Sequence, residues 1–206
     1  MDHNRHVLFL HGFGGGPQEA GPLRQLLENE GYQVSCPVLA GHEDIPDHLA
    51  RVKYDQWIDS ARVALEQTEV PAEEVVVIGF SMGGLIATNL SVDRRFKALI
   101  TINTPVDFWN LPQVVENLME DVKKRSVRNT KRYLEAKKNS PVHAMLEFHR
   151  MLQKTKKRFG SIHCPLLVVQ TKDDDTVGLK SPEYIYRKVS SRQKSIAYFS
   201  KGATES

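Results

Sequence analysis

At 206 residues and 23.4 kDa, with 40% hydrophobic and 26% charged side chains, the chain fits one globular domain with a sizeable core and excludes a disordered polypeptide. The net charge of +3 is too small to point to nucleic acid, but it is unevenly spread: residues 121–160 hold 13 Lys and Arg against Asp121, Glu135 and Glu147, a net of +10 that leaves the rest of the chain at −7. The longest apolar runs, at 75–80 and 166–169, fall far short of the roughly 18 residues that cross a bilayer, so stable membrane insertion is not expected.

Asp2, Asn4 and Arg5 precede a short apolar run without the basic, apolar and small-residue order of a signal peptide, and a cytoplasmic location is expected. A first strand is predicted at 7–10, leading into His11-Gly12-Phe13-Gly14-Gly15-Gly16. Leu23, Leu26 and Leu27 form a helical stripe that stops at Gly31, a suitable left-handed cap. A second strand at 34–39 is followed by Gly41-His42, and Trp57, Ala61, Ala64 and Leu65 mark the next helix. The strand at 75–80 runs straight into a helix after Ser81, where Gly83, Gly84 and Ala87 leave room for close packing beside Leu85, Ile86 and Leu90. A fourth strand is expected at 98–102, a fifth at 166–170 and a sixth at 196–199.

The apolar character of these runs is near-continuous rather than alternating, which implies strands buried on both faces. The fold class is therefore α/β: a mostly parallel sheet of about six strands with helices on both faces, forming a single domain over 1–206. Residues 105–160 interrupt the rhythm with basic, helix-compatible sequence, read as an inserted helical cap; the alternative is a long crossover with a solvated basic face. Cys36 and Cys164 lie far apart at the edges of apolar runs and suit buried free thiols better than a disulfide or zinc site; no metal and no cofactor is expected.

Gly79-Phe80-Ser81-Met82-Gly83 carries the chemistry. A serine on a sharp strand-to-helix turn has its hydroxyl pushed out at the carboxyl end of the sheet, and glycines are needed where side chains would collide. The amino end of the following helix aims oriented N–H groups at the space beside Ser81, where an oxyanion would form. The glycine-rich turn at 11–16 brings a second backbone close, so the expected oxyanion donors are the amides of Phe13 and Met82. A phosphate cradle is the competing reading of that turn, but it lacks G-x-G-x-x-G spacing opening directly into a helix. After the fifth strand, Asp173, Asp174 and Asp175 offer a carboxylate that could orient an imidazole; a metal loop is disfavoured because consecutive acids point in different directions.

These elements, in this order, resemble the α/β-hydrolase superfamily, and within it the small bacterial carboxylesterases and monoacylglycerol lipases. The resemblance spans nearly the whole chain and includes Gly41-His42, Asn103-Thr104-Pro105 and the helix bearing Ser181, Ile185 and Tyr186. It selects Asp174, three residues before the branched Val177. It implies two-step ester hydrolysis: attack by Ser81, an oxyanion held by the Phe13 and Met82 amides, loss of the alcohol and release of the acid by water. The implied partner is a small-molecule ester, with Phe13, Phe108, Trp109, Met119, Met145 and Phe148 as apolar contacts or as plain core.

One departure stands out. The family order is Ser, Asp, His, yet no histidine follows Asp174, and the residues after 199 stop where that histidine would be expected. His3, His6 and His163 belong to the wrong end of the sheet, His11 and His42 to the right end, and His48, His143 and His149 to loops or the cap. The expectations are an esterase lacking its C-terminal segment, an enzyme with an unusual or partner-supplied base, or a non-catalytic acyl-binding descendant; a thioesterase or aminopeptidase could use the same scaffold. A sheet face left uncovered would favour a homodimer.

Overall fold

The computed structural model describes residues 5–43, 48–107, 142–174 and 177–200. Six strands, β1 (His6–Leu10), β2 (Gln33–Ser35), β3 (Val75–Phe80), β4 (Ala98–Ile102), β5 (Leu166–Thr171) and β6 (Lys194–Phe199), form one sheet in the order β2-β1-β3-β4-β5-β6. Every pairing is parallel. The helices are α1 (Gly21–Asn29), α2 (Tyr54–Glu66), α3 (Met82–Leu90), α4 (Val142–Lys156) and α5 (Lys180–Lys188).

Alternate residues of the central strands enter two separate cores. Leu8 and Leu10 of β1 and Val75 and Val77 of β3 join Trp57, Ala61 and Leu65 of α2 and Leu85, Ile86 and Leu90 of α3. Val7, Phe9 and Ile78 turn the other way, toward Leu23 and Leu27 of α1. Burial on both faces is the physical reason these strands read as unbroken apolar runs. Residues 142–156 of the expected cap are helical, and Ala144, Phe148, Met151 and Leu152 form a buried stripe against the larger core. Residues 108–141, on which the rest of the cap reading falls, lie outside the described residues.

Three details depart from the sequence reading. The second strand is shorter than 34–39, ending at Ser35; it is a sheet edge, and Pro37 has no N–H to extend a ladder. In α1 the expected three-leucine stripe narrows to Leu23 and Leu27, because Leu26 is 61% exposed. Both cysteines are free, as expected, but half-buried rather than buried, and desolvation raises the pKa of each thiol.

Candidate active site

Ser81 joins β3 to α3 with φ 51° and ψ −113°, a region disfavoured by on the order of 1–3 kcal/mol for a residue with a Cβ. The surroundings hold it there. Its N–H donates to the Ile102 carbonyl (2.7 Å), and its own carbonyl accepts from the Gly84 N–H (3.1 Å). The glycines around it are required by close approach: a Cβ on Gly79 would lie 2.4 Å from the Gly84 nitrogen, and one on Gly83 only 2.0 Å from the Leu10 carbonyl oxygen. Thus α3 starts hard against the end of β1.

The turn at 11–16 sits beside this elbow because β1 and β3 are neighbours, with Leu10 paired to Gly79. Three of its amides are committed. Gly12 N–H donates to Glu19 Oε2 (2.7 Å), Gly14 N–H to His42 Nε2 (3.1 Å) and Gly15 N–H to the Gly12 carbonyl (3.2 Å). That leaves the Phe13 N–H as the turn amide between Gly12 and Gly15 with no acceptor among the described residues. Met82 opens α3, where first-turn amides have no acceptor within the helix.

The two histidines on this side of the sheet are engaged at both ring nitrogens. His11 Nε2 accepts the Leu39 N–H (3.2 Å), so its proton sits on Nδ1, which donates to the Gly12 carbonyl (2.9 Å). His42 repeats the pattern, with Nε2 accepting from Gly14 and Nδ1 donating to the Ala40 carbonyl (3.1 Å). Burial is the main cause that lowers His11 to about 4, with its neighbour His42 adding to the effect against the Gly12 hydrogen bond; burial also lowers His42. Their ring centroids are 4.9 Å apart. Both are neutral braces for the turn, with no lone pair left to take a proton from Ser81.

Asp174 lies two strands away, after β5. Asp174 Oδ1 accepts the Val177 N–H (2.9 Å), which gives the three-residue spacing a physical basis: the carboxylate is oriented by its own turn. Asn103, at φ 48°, ties β4 to this segment, its Oδ1 accepting the Thr171 N–H (2.8 Å) and its Nδ2 donating to Thr171 Oγ1 (3.3 Å). Gln170 Nε2 donates to the Val177 carbonyl (3.3 Å). Asp173 is exposed, and Asp175 lies outside the described residues.

An aromatic wall rises over the turn. The Phe13 ring lies 5.3 Å from Phe148 of α4, 5.8 Å from Trp57 and 6.3 Å from His42. Glu147, only 2% exposed, holds this wall together: it accepts the Tyr54 N–H at the start of α2 (3.3 Å) and pairs with Arg150. Among the described residues no group of three His, Cys, Asp or Glu is placed to hold a metal.

The sequence profile of the alpha/beta hydrolase fold family matches residues 5–161. The chain belongs to that family. This α/β hydrolase is 26% identical over 201 residues to a thermostable monoacylglycerol lipase of Bacillus sp. (strain H-257), covering 92% of this chain and 78% of the relative. It is 22% identical over 203 residues to a carboxylesterase of Bacillus subtilis (strain 168), covering 95% of this chain and 82% of that one. Among solved structures, the fold matches that of the metagenome-derived lipolytic enzymes LipS and LipT with a TM-score of 0.72 at 20% identity, over 95% of this chain and 83% of the other. A monoacylglycerol lipase of Paleococcus ferrophilus matches with a TM-score of 0.69 at 15% identity, over 97% and 85%.

In this α/β hydrolase the sequence-predicted Ser81, Met82 and Phe13 come together at the ends of β3 and β1, and Asp174 stands at the end of β5. Of the expected apolar contacts, Phe13 and Phe148 meet, Met145 is half-buried on α4, and Phe108, Trp109 and Met119 lie outside the described residues. Sequence reasoning missed Glu19, Glu147 and the wall position of Trp57. Only Glu147 left a signal, as a lone acid inside the stripe Ala144, Phe148, Met151, Leu152. His6, with Nε2 2.9 Å from Ser35 Oγ, begins β1 at the far end of the sheet.

Proposed function

We propose that this α/β hydrolase is a serine carboxylesterase for short- to medium-chain carboxylic esters or monoacylglycerols, working through an acyl-enzyme on Ser81. The observation that carries this reading is the elbow: a serine held at positive φ between a buried strand and the amino end of α3, beside a turn in which the Phe13 N–H has no acceptor among the described residues. In this reading the Phe13 and Met82 amides receive the developing oxyanion without reorganisation, and Asp174 supplies the carboxylate that orients a basic imidazole. Phe13, Trp57 and Phe148 line the acyl side. The activities named for the Bacillus relatives support the substrate class.

A second reading, an acyl-binding protein without turnover, is favoured by the full engagement of His11 and His42. Turnover needs some other base, and in triad enzymes losing the histidine leaves only about 10³ to 10⁴ over water. Hydrolysis of p-nitrophenyl butyrate near pH 8 by the chain and by Ser81→Ala separates the two. The esterase reading expects the substitution to lower kcat/KM by roughly 10³-fold or more. Equal, near-background rates, with acyl ligands bound alike by both proteins, would replace it with the binding reading.

A further inference from the structure

The end of the sheet opposite Ser81 holds a feature that ester hydrolysis does not use. The segments entering β4, β5 and β6 border an open cavity of about 470 Å³ lined by Arg95, His163, Ser190, Ser191, Arg192 and Gln193. A neighbouring cavity of about 560 Å³ shares Arg95 and His163 and is lined also by Arg94 and by the carboxylates of Glu73 and Asp93. Such volumes accommodate a small organic ligand.

The charges in the first cavity are unbalanced. Arg94, which lines the neighbouring cavity, is paired with Glu66 at 3.1 Å and Asp93 at 3.9 Å. Arg95 and Arg192 make no ion pair or hydrogen bond with any described residue, and no carboxylate lines the cavity. Both arginines are exposed and come to one concavity from separate loops, so their like charge makes the space attractive to an anion. Their planar N–H forks match the oxygens of a tetrahedral phosphate bidentately. Serine hydroxyls border the same space, Ser190 Oγ donating to the Gly160 carbonyl (2.7 Å) and Ser191 Oγ to that of Gln193 (2.8 Å), so each still has lone pairs but directs its proton inward to the protein. Recognition therefore rests on the arginines.

We propose that this cavity binds a phosphate group, free or carried by a small molecule, between Arg95 and Arg192. The site is independent of Ser81.

Isothermal titration of the full chain at fixed ionic strength, with inorganic phosphate in one arm and glycerol 3-phosphate in the other, tests this. Saturable binding is expected in at least one arm; tighter binding of the ester assigns a phosphorylated molecule, and binding of phosphate alone assigns the free ion. Arg95→Gln and Arg192→Gln should each weaken binding about tenfold or more, while Ser81→Ala leaves it unchanged. Hydrogen exchange on the unmutated chain gives a readout that needs no variant: phosphate should protect residues 161–165 and 189–193. No saturable heat in either arm, binding that survives the paired arginine variant, or protection confined to other segments would overturn the proposal.

Discussion

Ser81 and His11 show how differently single residues on one site can be read. The serine was legible because its neighbours are glycines and its strand is long and apolar; its positive φ follows from that context. For His11 the sequence indicates only the side of the sheet. Whether its nitrogens are free depends on the Leu39 N–H and the Gly12 carbonyl, partners supplied by the path of the chain after β2 and by the turn itself. The neutral ring has a thermodynamic consequence. Its pKa falls from 6.5 to about 4 on folding, so its contribution to stability is fully present above about 6.5 and is lost as pH drops through about 4. Urea midpoints should give a loss of about 2 kcal/mol between pH 7 and pH 5 from this group. His42 acts in the same direction, while Glu19, whose carboxyl is pushed up by burial, opposes it. The same loss in a Glu19→Gln background, where the opposing carboxyl is gone, is expected; a stability unchanged between those pH values in that background would mean that His11 is not a buried neutral brace.

At the scale of elements, α3 and the end of β1 approach main chain to main chain. Gly83→Ala would set a methyl 2.0 Å from the Leu10 carbonyl, with main chain on both sides, and is expected to destabilise by about 3 kcal/mol or more. Gly178→Ala, where a Cβ meets nothing within 4 Å, is the control and should shift the urea midpoint little. Comparable midpoints for the two variants would show that the elbow has slack. The strands were legible where both faces are buried, as in β1 and β3. They were less so at the edge: Cys36 to Leu39 are as apolar as a strand, and only the lack of a neighbour beyond β2 and the missing N–H of Pro37 end the pairing. In α1, a three-leucine stripe overstates burial because the smaller core is shallow there. Asn103-Thr104-Pro105 could be noticed as a turn, but not that its asparagine bridges β4 to β5.

Across the whole molecule, the parallel order of six strands places the elbow, the glycine turn and the Asp174 segment at one end of the sheet and the arginine cavity at the other. The candidate site at the first end was legible because its motifs carry backbone constraints; the cavity at the second end is assembled from loops that carry none. Among the described residues the two sheet faces are unequally covered. On the face that carries α1, Ile100 and Ile102 of β4 and Leu167 and Val169 of β5 are half-buried, and Phe199 of β6 is 53% exposed in the same register. That apolar area is expected to drive self-association, visible as a rising weight-average mass in sedimentation at increasing concentration; a monomer throughout would rule it out. The central claim, that Ser81 is the nucleophile of an ester hydrolase, is tested most directly by intact-mass measurement after incubation with a fluorophosphonate. One adduct located on Ser81, absent from Ser81→Ala, is the expected result; an unmodified chain, or an equal adduct in the variant, would contradict it.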